Sequence, residues 1–351
     1  MTQPHLPDGA TLINDAPLEA QPDRPWVSML LIAYQQPDTI ARAIRGALAQ
    51  TYSPLEIVIS DDASNDTTFA VMQAALVGYA GPHRIVLNRN PRNLGIGAHL
   101  SFLVGISTGE LLFVAAGDDV SLPVRCETVV QAWLAHGRRL DLIASTLLDM
   151  DDAGGLHAHI VPSALQNYRS VADWLANPPF VVGAAQAWTR RLFERFGPLP
   201  AGVVAEDLIM VFRAIGGAGP ESGGALTLAE PLVGYGRGGM SRRVRNLCAQ
   251  DVIGKLLKNN RHALVEHEQL LRDARTMGQF AVVQRAFEAK LGRERFIRDV
   301  FAARGMWRQL GVTVRASGVP LGLRLRTLIY AALPGVYAPF FFLKRLLSRQ
   351  N

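Results

Sequence analysis

Two pairs of adjacent aspartates, Asp61–Asp62 and Asp118–Asp119, each come straight after an apolar run, "LEIVIS" (Leu55–Ser60) and "LLFVAAG" (Leu111–Gly117). Runs of this length and composition read as strands buried on both faces. Two like charges side by side at a buried strand end are unfavourable unless something cationic binds there. A carboxylate in that position can accept hydrogen bonds from a nucleobase imide or a ribose. It can also hold a hard divalent cation, which a diphosphate needs for charge neutralisation. Oxygen ligands without a Cys/His cluster point to Mg2+ or Mn2+ and away from zinc. A plain surface turn that ends a strand is the simpler alternative for either pair alone.

The surrounding pattern supplies what would position these groups. "VSMLLIAY" (Val27–Tyr34) reads as a first buried strand, and Asp38 as the cap of a helix carrying Ile40, Ile44, Ala47 and Leu48 on one side. Leu55–Ser60, Arg84–Asn88, Leu111–Ala116 and Leu142–Leu148 follow as strands. Helices carrying Phe69–Leu76, Gly97–Ser107 and Pro123–His136 lie between them. This alternation predicts an α/β fold with a mostly parallel sheet flanked by helices, and in such sheets ligands bind outside the carboxyl ends of the strands. Residues 149–235 are less regular, and Leu247 to about Gln309 reads as charged helix, a helical C-terminal appendage.

The chain has 351 residues, 49% hydrophobic and 19% charged, enough for one large domain with an appendage or for two domains. The net charge of +6 suits an anionic partner such as a nucleotide or an anionic membrane surface. Cys126 and Cys248, without metal-type spacing, read as reduced residues of a cytosolic protein. Residues 1–25 are Pro-rich and polar with no apolar core, so they read as a disordered leader and not a signal peptide. Near the other end, Thr327–Leu343 carries no charge but is broken by Pro334, Gly335 and Pro339 and flanked by basic residues. That pattern over 322–346 suits a segment lying in the membrane interface better than one crossing it, with a buried amphipathic appendage as the alternative. His157 and His159 lack a third ligand and read as a solvated loop. No P-loop, G-x-S-x-G or H-E-x-x-H is present, which removes the common kinase and hydrolase readings.

Taken jointly, these stretches carry a family resemblance. "VSMLLIAYQQPDTIARAIRGALAQTYSPLEIVISDDASNDTT" resembles the opening of a family 2 glycosyltransferase of the GT-A fold, with the Q-T-[YF] sequence at Gln50–Tyr52 and D-D-x-S-x-D at Asp61–Asp66. "NLGIGAHLSFLVGISTGELLFVAAGDDVSL" continues it to the D-x-D site, and "AEDLIMVFRAI" (Ala205–Ile215) resembles the later E-D motif. The resemblance spans roughly Val27 to Ser241 and implies a domain over 26–240, with a nucleotide-binding half at 26–148 and an acceptor half at 149–240. It implies that Tyr34 and Asp62 hold the base and ribose, that Asp118 ligates Mn2+ or Mg2+, and that Asp119 is a neighbouring ribose contact. Asp207 would be the general base on an acceptor hydroxyl, and Arg237, in "YGRGGMS", a diphosphate contact. Two positions depart from the family pattern: Ala116 replaces the first Asp of D-x-D, and His99 stands where an Arg is frequent.

The expected function is inverting transfer of a sugar from a nucleotide-diphosphate donor to a glycan or lipid-linked acceptor, on the inner face of the cell membrane, with no nucleic-acid partner. A catalytically weak nucleotide-binding partner subunit and a sugar nucleotidyltransferase are the alternatives. Ala116 and His99 favour the former, and the lack of a Gly-rich basic motif after the first strand disfavours the latter.

Overall fold

The computed structural model describes residues 6–17, 19–219, 223–236 and 249–333. The chain divides into two compact units, residues 1–242 and 243–351. The first unit runs β1 (Ala10–Asn14), β2 (Val27–Ala33), α1 (Ile40–Leu48), β3 (Leu55–Asp61), α2 (Thr68–Leu76), β4 (Arg84–Arg89), α3 (Ile96–Ile106), β5 (Leu111–Ala116) and β6 (Val120–Ser121). It continues through α4 (Arg125–Ala135), β7 (Leu142–Met150), β8 (Leu156–Ile160), α5 (Val171–Ala176), β9 (Gln186–Thr189), α6 (Arg190–Phe196), α7 (Glu206–Gly216) and β10 (Ala225–Gly236).

One sheet holds all of these strands, in the order β1-β4-β3-β2-β5-β9-β7-β10-β6 with β8 on the outer side of β7. Strands β4, β3, β2 and β5 are parallel, as the continuous apolar runs predict. Side chains alternate between the two faces of each strand. Val27, Met29 and Leu31 of β2, with Ile57 and Ile59 of β3, face a core built with α1, α2 and α4. The alternate residues Leu30, Val58, Val86 and Leu112 are equally buried. They face the other side, where α3 packs on β2 and α7 on β7 and β10.

Several expectations need correction. The stretch read as a disordered leader contains β1, which pairs antiparallel with β4, Ala10 opposite Asn88 and Thr11 opposite Leu87. The edge of β4 offers unpaired backbone groups, and this five-residue segment satisfies them. Asp38 does not cap α1: the N-cap is Thr39, without a side-chain cap hydrogen bond. Pairs β5–β9 and β7–β9 are antiparallel, so the sheet is mixed beyond β5. The sequence hid β9 because four residues are too few to show a period. It hid the unity of β10 because Pro231 interrupts the ladder, where the register shifts. The His157–His159 stretch is not a loop but the exposed strand β8, with His157 Nε2 2.7 Å from Asp151.

The edge of the sheet where the parallel strands begin is tied by a buried polar network. Glu56 is fully buried and accepts from Arg84 at 2.6 Å, Ser28 at 2.7 Å and the Thr108 backbone N–H at 2.9 Å. Gly109 then donates its N–H to Ser28 Oγ at 2.9 Å, so the Thr108–Gly109 turn lies flat on the start of β2. A Cβ at Gly109 would collide with backbone atoms of Val27 and Ser28, which cannot move aside.

In the second unit α8 (Ala249–Thr276) and α9 (Phe280–Ala302) pack on each other, and α10 (Met306–Arg315) and α11 (Leu321–Ala332) follow. Asn260 of α8 donates to the Glu294 backbone carbonyl and side chain of α9 at 2.8 and 2.6 Å. The uncharged segment read from Thr327 onward begins inside α11, and its part after residue 333 lies outside the described residues, as does Cys248. Cys126 is buried and free, and burial pushes its thiol up to about 12, which makes it an inert core residue.

Gly109→Ala is expected to lower unfolding stability by about 1–3 kcal/mol through backbone overpacking. Gly105→Ala, on α3 with open space around it, is expected to be neutral or slightly stabilising. Urea unfolding of the two variants checks this, and equal midpoints would refute the close approach at Gly109.

Candidate active site

The loops that leave β2, β3 and β5 meet at the carboxyl edge of the sheet. In the ladders Ala33 lies opposite Asp61, and Ile32 opposite Ala116. Tyr34 therefore follows the central strand, with Asp62 on one side and Asp118 on the other. Their parent strands, β3 and β5, lie two strand spacings apart, about 10 Å. The Tyr34 ring is 44% exposed at this edge. Behind it Gln35 takes a positive φ of 53°, held by its N–H to Ser64 Oγ at 2.8 Å, while the Gln36 N–H reaches Thr68 Oγ1 at 2.9 Å. The β2 and β3 loops are thus laced together before any ligand arrives.

Asp62 is buried and organises the loop before α3. Its Oδ1 accepts from Asn90 Nδ2 at 2.8 Å and Leu94 N–H at 2.9 Å, and its Oδ2 from Gly95 N–H at 2.9 Å. Gly95 has a φ of 78°, a conformation glycine adopts at little cost. His99 lies just beneath, its Nε2 2.6 Å from Ser60 Oγ and its Nδ1 4.0 Å from Asp62 Oδ1. At 4.0 Å the attraction of Asp62 is outweighed by burial, which pushes the imidazole down to about 4. His99 is therefore neutral at pH 7 and does not offer a cation to a phosphate.

Asp118 and Asp119 sit in the turn between β5 and β6, both buried. Burial raises the pKa of each above the ordinary aspartate range, and for Asp119 the neighbouring Asp118 charge raises it further. Asp118 Oδ1 accepts from Gln36 Nε2 at 2.9 Å, which ties it to the β2 loop. Asp119 Oδ1 accepts from the Gly236 N–H at 2.7 Å, which ties it to the end of β10. Gly236 must lack a side chain, because a Cβ would run into the Asp118 carbonyl oxygen. The opposing charge is Arg125, fully buried, which donates to Ser121 Oγ at 2.9 Å, Val114 O at 2.9 Å and Gln186 O at 3.1 Å. Burial lowers its pKa to about 10, so it is still a cation at neutral pH. Gln50 fixes the far side of the turn, donating to Leu122 O at 2.8 Å and accepting from the Cys126 N–H at 3.0 Å.

Glu206 and Asp207 open α7, where the helix dipole favours negative charge. Gln186 at the start of β9 donates to the Asp207 carbonyl at 3.3 Å, while its own carbonyl takes the Arg125 hydrogen bond. Since Ala187 lies opposite Phe113, Gln186 sits beside the later part of β5, and the first turn of α7 is held at the same sheet edge as Asp118. The turn at Gly183 packs so tightly here that a Cβ would press on Glu206 Oε1. Asp207 itself is half-buried.

The structure thus brings Tyr34, Asp62, Asp118 and Asp119 to one edge and ties the start of α7, with Asp207, to the neighbouring strand. Arg237 lies outside the described residues. Among the described residues no group of three or more His, Cys, Asp or Glu side chains forms a metal cage. The donor set at Asp118 suits a Mg2+- or Mn2+-type ion, which commonly takes one or two carboxylates and completes its shell with substrate phosphates. Sequence reasoning missed Gln36, Arg125 and Gln186, which hold the acidic turn and α7. Gln36 lies 82 residues from Asp118, Arg125 61 from Gln186 and Gln186 21 from Asp207, and no local spacing announces these pairs.

Residues 28–196 match the family model described as glycosyl transferase family 2. EpsE of Bacillus subtilis, provisionally described as a glycosyltransferase, is 32% identical over 139 residues, 40% of this chain and 49% of its own length. The succinoglycan biosynthesis protein ExoO of Rhizobium meliloti is 30% identical over 40% of this chain and 38% of its own. The match spans about half the length of these relatives or less. Among solved structures, S. aureus TarS 1–349 in complex with UDP has a TM-score of 0.53 at 11% identity, covering 87% of this chain and 90% of that one. The Pyrobaculum calidifontis mannosyltransferase PcManGT, in complex with GDP-Man and Mn2+, has a TM-score of 0.51 at 17% identity, covering 92% and 90%. These likenesses are of fold, and the fold is GT-A.

His99 gives this edge a pH signature. The unfolded imidazole takes its proton near 6.5 and the folded one near 4, so in between the unfolded state binds the extra proton. Stability is expected to fall as pH drops from 6.5 to 4, by on the order of 1–3 kcal/mol from this group. Chemical unfolding across that range should show a shallower fall for His99→Gln, and identical slopes would contradict a buried neutral imidazole.

Proposed function

We propose that this protein is an inverting glycosyltransferase of cell-surface polysaccharide synthesis. It would move a sugar from a nucleotide-diphosphate donor to a hydroxyl of a glycan or lipid-linked acceptor. The observation that carries the reading is the buried Asp118–Asp119 turn beside Tyr34 and Asp62 at the carboxyl edge of a family 2 domain. In the succinoglycan protein ExoO the name itself refers to polysaccharide synthesis, and TarS and PcManGT bind UDP and GDP-Man with Mn2+ respectively.

The proposed roles are those that the family resemblance implies. The exposed face of Tyr34 stacks on the base, and Asp62, rigid on its three donors, accepts from the base or ribose. Asp118 would hold Mn2+ or Mg2+, which when bound neutralises the diphosphate of the donor and leaving group. Asp119 keeps the turn closed through Gly236 and contacts the ribose side, while Arg237 meets the diphosphate. Asp207 accepts the proton of the acceptor hydroxyl as its oxygen attacks the anomeric carbon from the face opposite the diphosphate. The C1–O bond to the diphosphate breaks as the new one forms, and the configuration at C1 inverts. Ala116 removes one carboxylate from the cation's surroundings, so the cation depends the more on Asp118. The protein is further proposed to be cytoplasmic and peripheral on the inner leaflet, attached through the segment 322–346. No helix among the described residues is long and apolar enough to cross a membrane.

Asp207→Asn keeps size and polarity but removes the proton acceptor. Transfer is expected to fall roughly 10²- to 10⁴-fold with donor affinity unchanged. Nucleoside-diphosphate release and donor binding measured on the same variant check this, and unchanged turnover would remove Asp207 as the base.

A further inference from the structure

After Asp299 the sequence contains no acidic residue, while eight Lys and Arg residues follow over residues 300–351. Five of them, Arg304, Arg308, Arg315, Arg324 and Arg326, lie on or beside α10 and α11. These helices bury an unexpected side. On α10 the inward residues include Gln309 and Thr313, both buried, with Val312 against Phe296, Ile297 and Val300 of α9. The outward residues are apolar: Met306 is 54% exposed, Trp307 79%, Leu310 37% and Val314 66%. At about 100° per residue these four fall within one arc of about 100°. α11 adds Leu321 and Leu325, both exposed, and it is fixed to α10 by Arg324, which donates to the Thr313 and Val314 carbonyls at 2.8 and 2.9 Å. Single exposed apolar residues are ordinary, but a set of six on two packed helices marks an interaction surface.

We infer that the α10–α11 face is where the protein rests on an anionic lipid bilayer. Trp307 and Leu310 enter the boundary between headgroups and acyl chains, and the arginines around them meet lipid phosphates. The charge pattern selects this occupant. A second copy of the chain would bring the same cations face to face, whereas an anionic leaflet complements an acid-free stretch. The inference deepens the membrane association proposed above, on which it rests, and adds α10, which the 322–346 segment does not include. It does not depend on sugar transfer.

The test uses the full chain with vesicles of phosphatidylcholine alone and of phosphatidylcholine mixed with phosphatidylglycerol. Trp133, Trp174 and Trp188 are buried, Trp26 is half-buried and Trp307 is 79% exposed, so an emission change that Trp307→Phe abolishes reports on Trp307. The mixed vesicles are expected to carry the protein upward in flotation and to shift its emission to the blue, and phosphatidylcholine alone to do neither. Trp307→Ala/Leu310→Ser alters only outward side chains, so its circular dichroism and nucleotide binding should match wild type while the bound fraction falls roughly tenfold. A double variant that floats as well as wild type would overturn the α10 face and leave membrane association to the rest of the chain. Wild type that binds neither vesicle would overturn both. Equal binding to the two vesicles, or conversion of a dimer to a monomer by the double variant, would overturn the anionic-lipid assignment.

Discussion

The arrangement depends on two carboxyl groups, Asp118 and Asp119, placed next to each other where water is largely excluded. Burial raises both pKa values, and the Asp118 charge raises that of Asp119 further, so the turn is held in shape at some electrostatic cost. Three contacts offset that cost: Gln36 on Asp118, the Gly236 N–H on Asp119, and the buried Arg125 guanidinium nearby. Each comes from a different element, β2's loop, β10 and α4, so the turn's shape depends on all three. A cation that prefers the ionised carboxylates would gain from a geometry built in advance and pay no further ordering.

The rest of the domain can be understood as support for that turn. The parallel strands β3, β2 and β5 bring their loops to one edge, while Glu56, Ser28 and Gly109 close the opposite edge with a buried polar network. The Gln50 side chain then braces the segment after the turn against α1 and α4, which gives the Gln50–Tyr52 motif a structural meaning. Arg125 and Gln186 form a relay of hydrogen bonds from β5 to the first turn of α7, so the acidic turn and Asp207 share one scaffold.

The sequence made the parallel core legible because its strands are long, apolar and buried on both faces, with α1 to α4 falling between them. The placement of Asp62 and Asp118 after strands was legible because each follows an apolar run, and that of Asp207 at a helix start because an apolar run follows it. β1 was not, since a five-residue edge strand is stabilised by its partner β4 and is too short to show its own pattern. β9 was too short to show a period, and Pro231 disguised β10. Gln36 is 82 residues from Asp118, and no local rule connects them. The inversion of α10, with Gln309 and Thr313 inward and Trp307 outward, could not be read from amphipathicity, which ordinarily places the apolar side in the core.

Under the proposed function Asp118 holds a divalent cation on which nucleotide binding relies. Titration calorimetry of UDP and GDP against wild type, Asp118→Ala and Asp119→Ala, each with and without Mn2+, tests it most directly. The account predicts that one diphosphate binds wild type with Mn2+ and weakens sharply without it, that Asp118→Ala loses the Mn2+-dependent part, and that Asp119→Ala loses less. Equal affinity of wild type and Asp118→Ala in the presence of Mn2+ would contradict it.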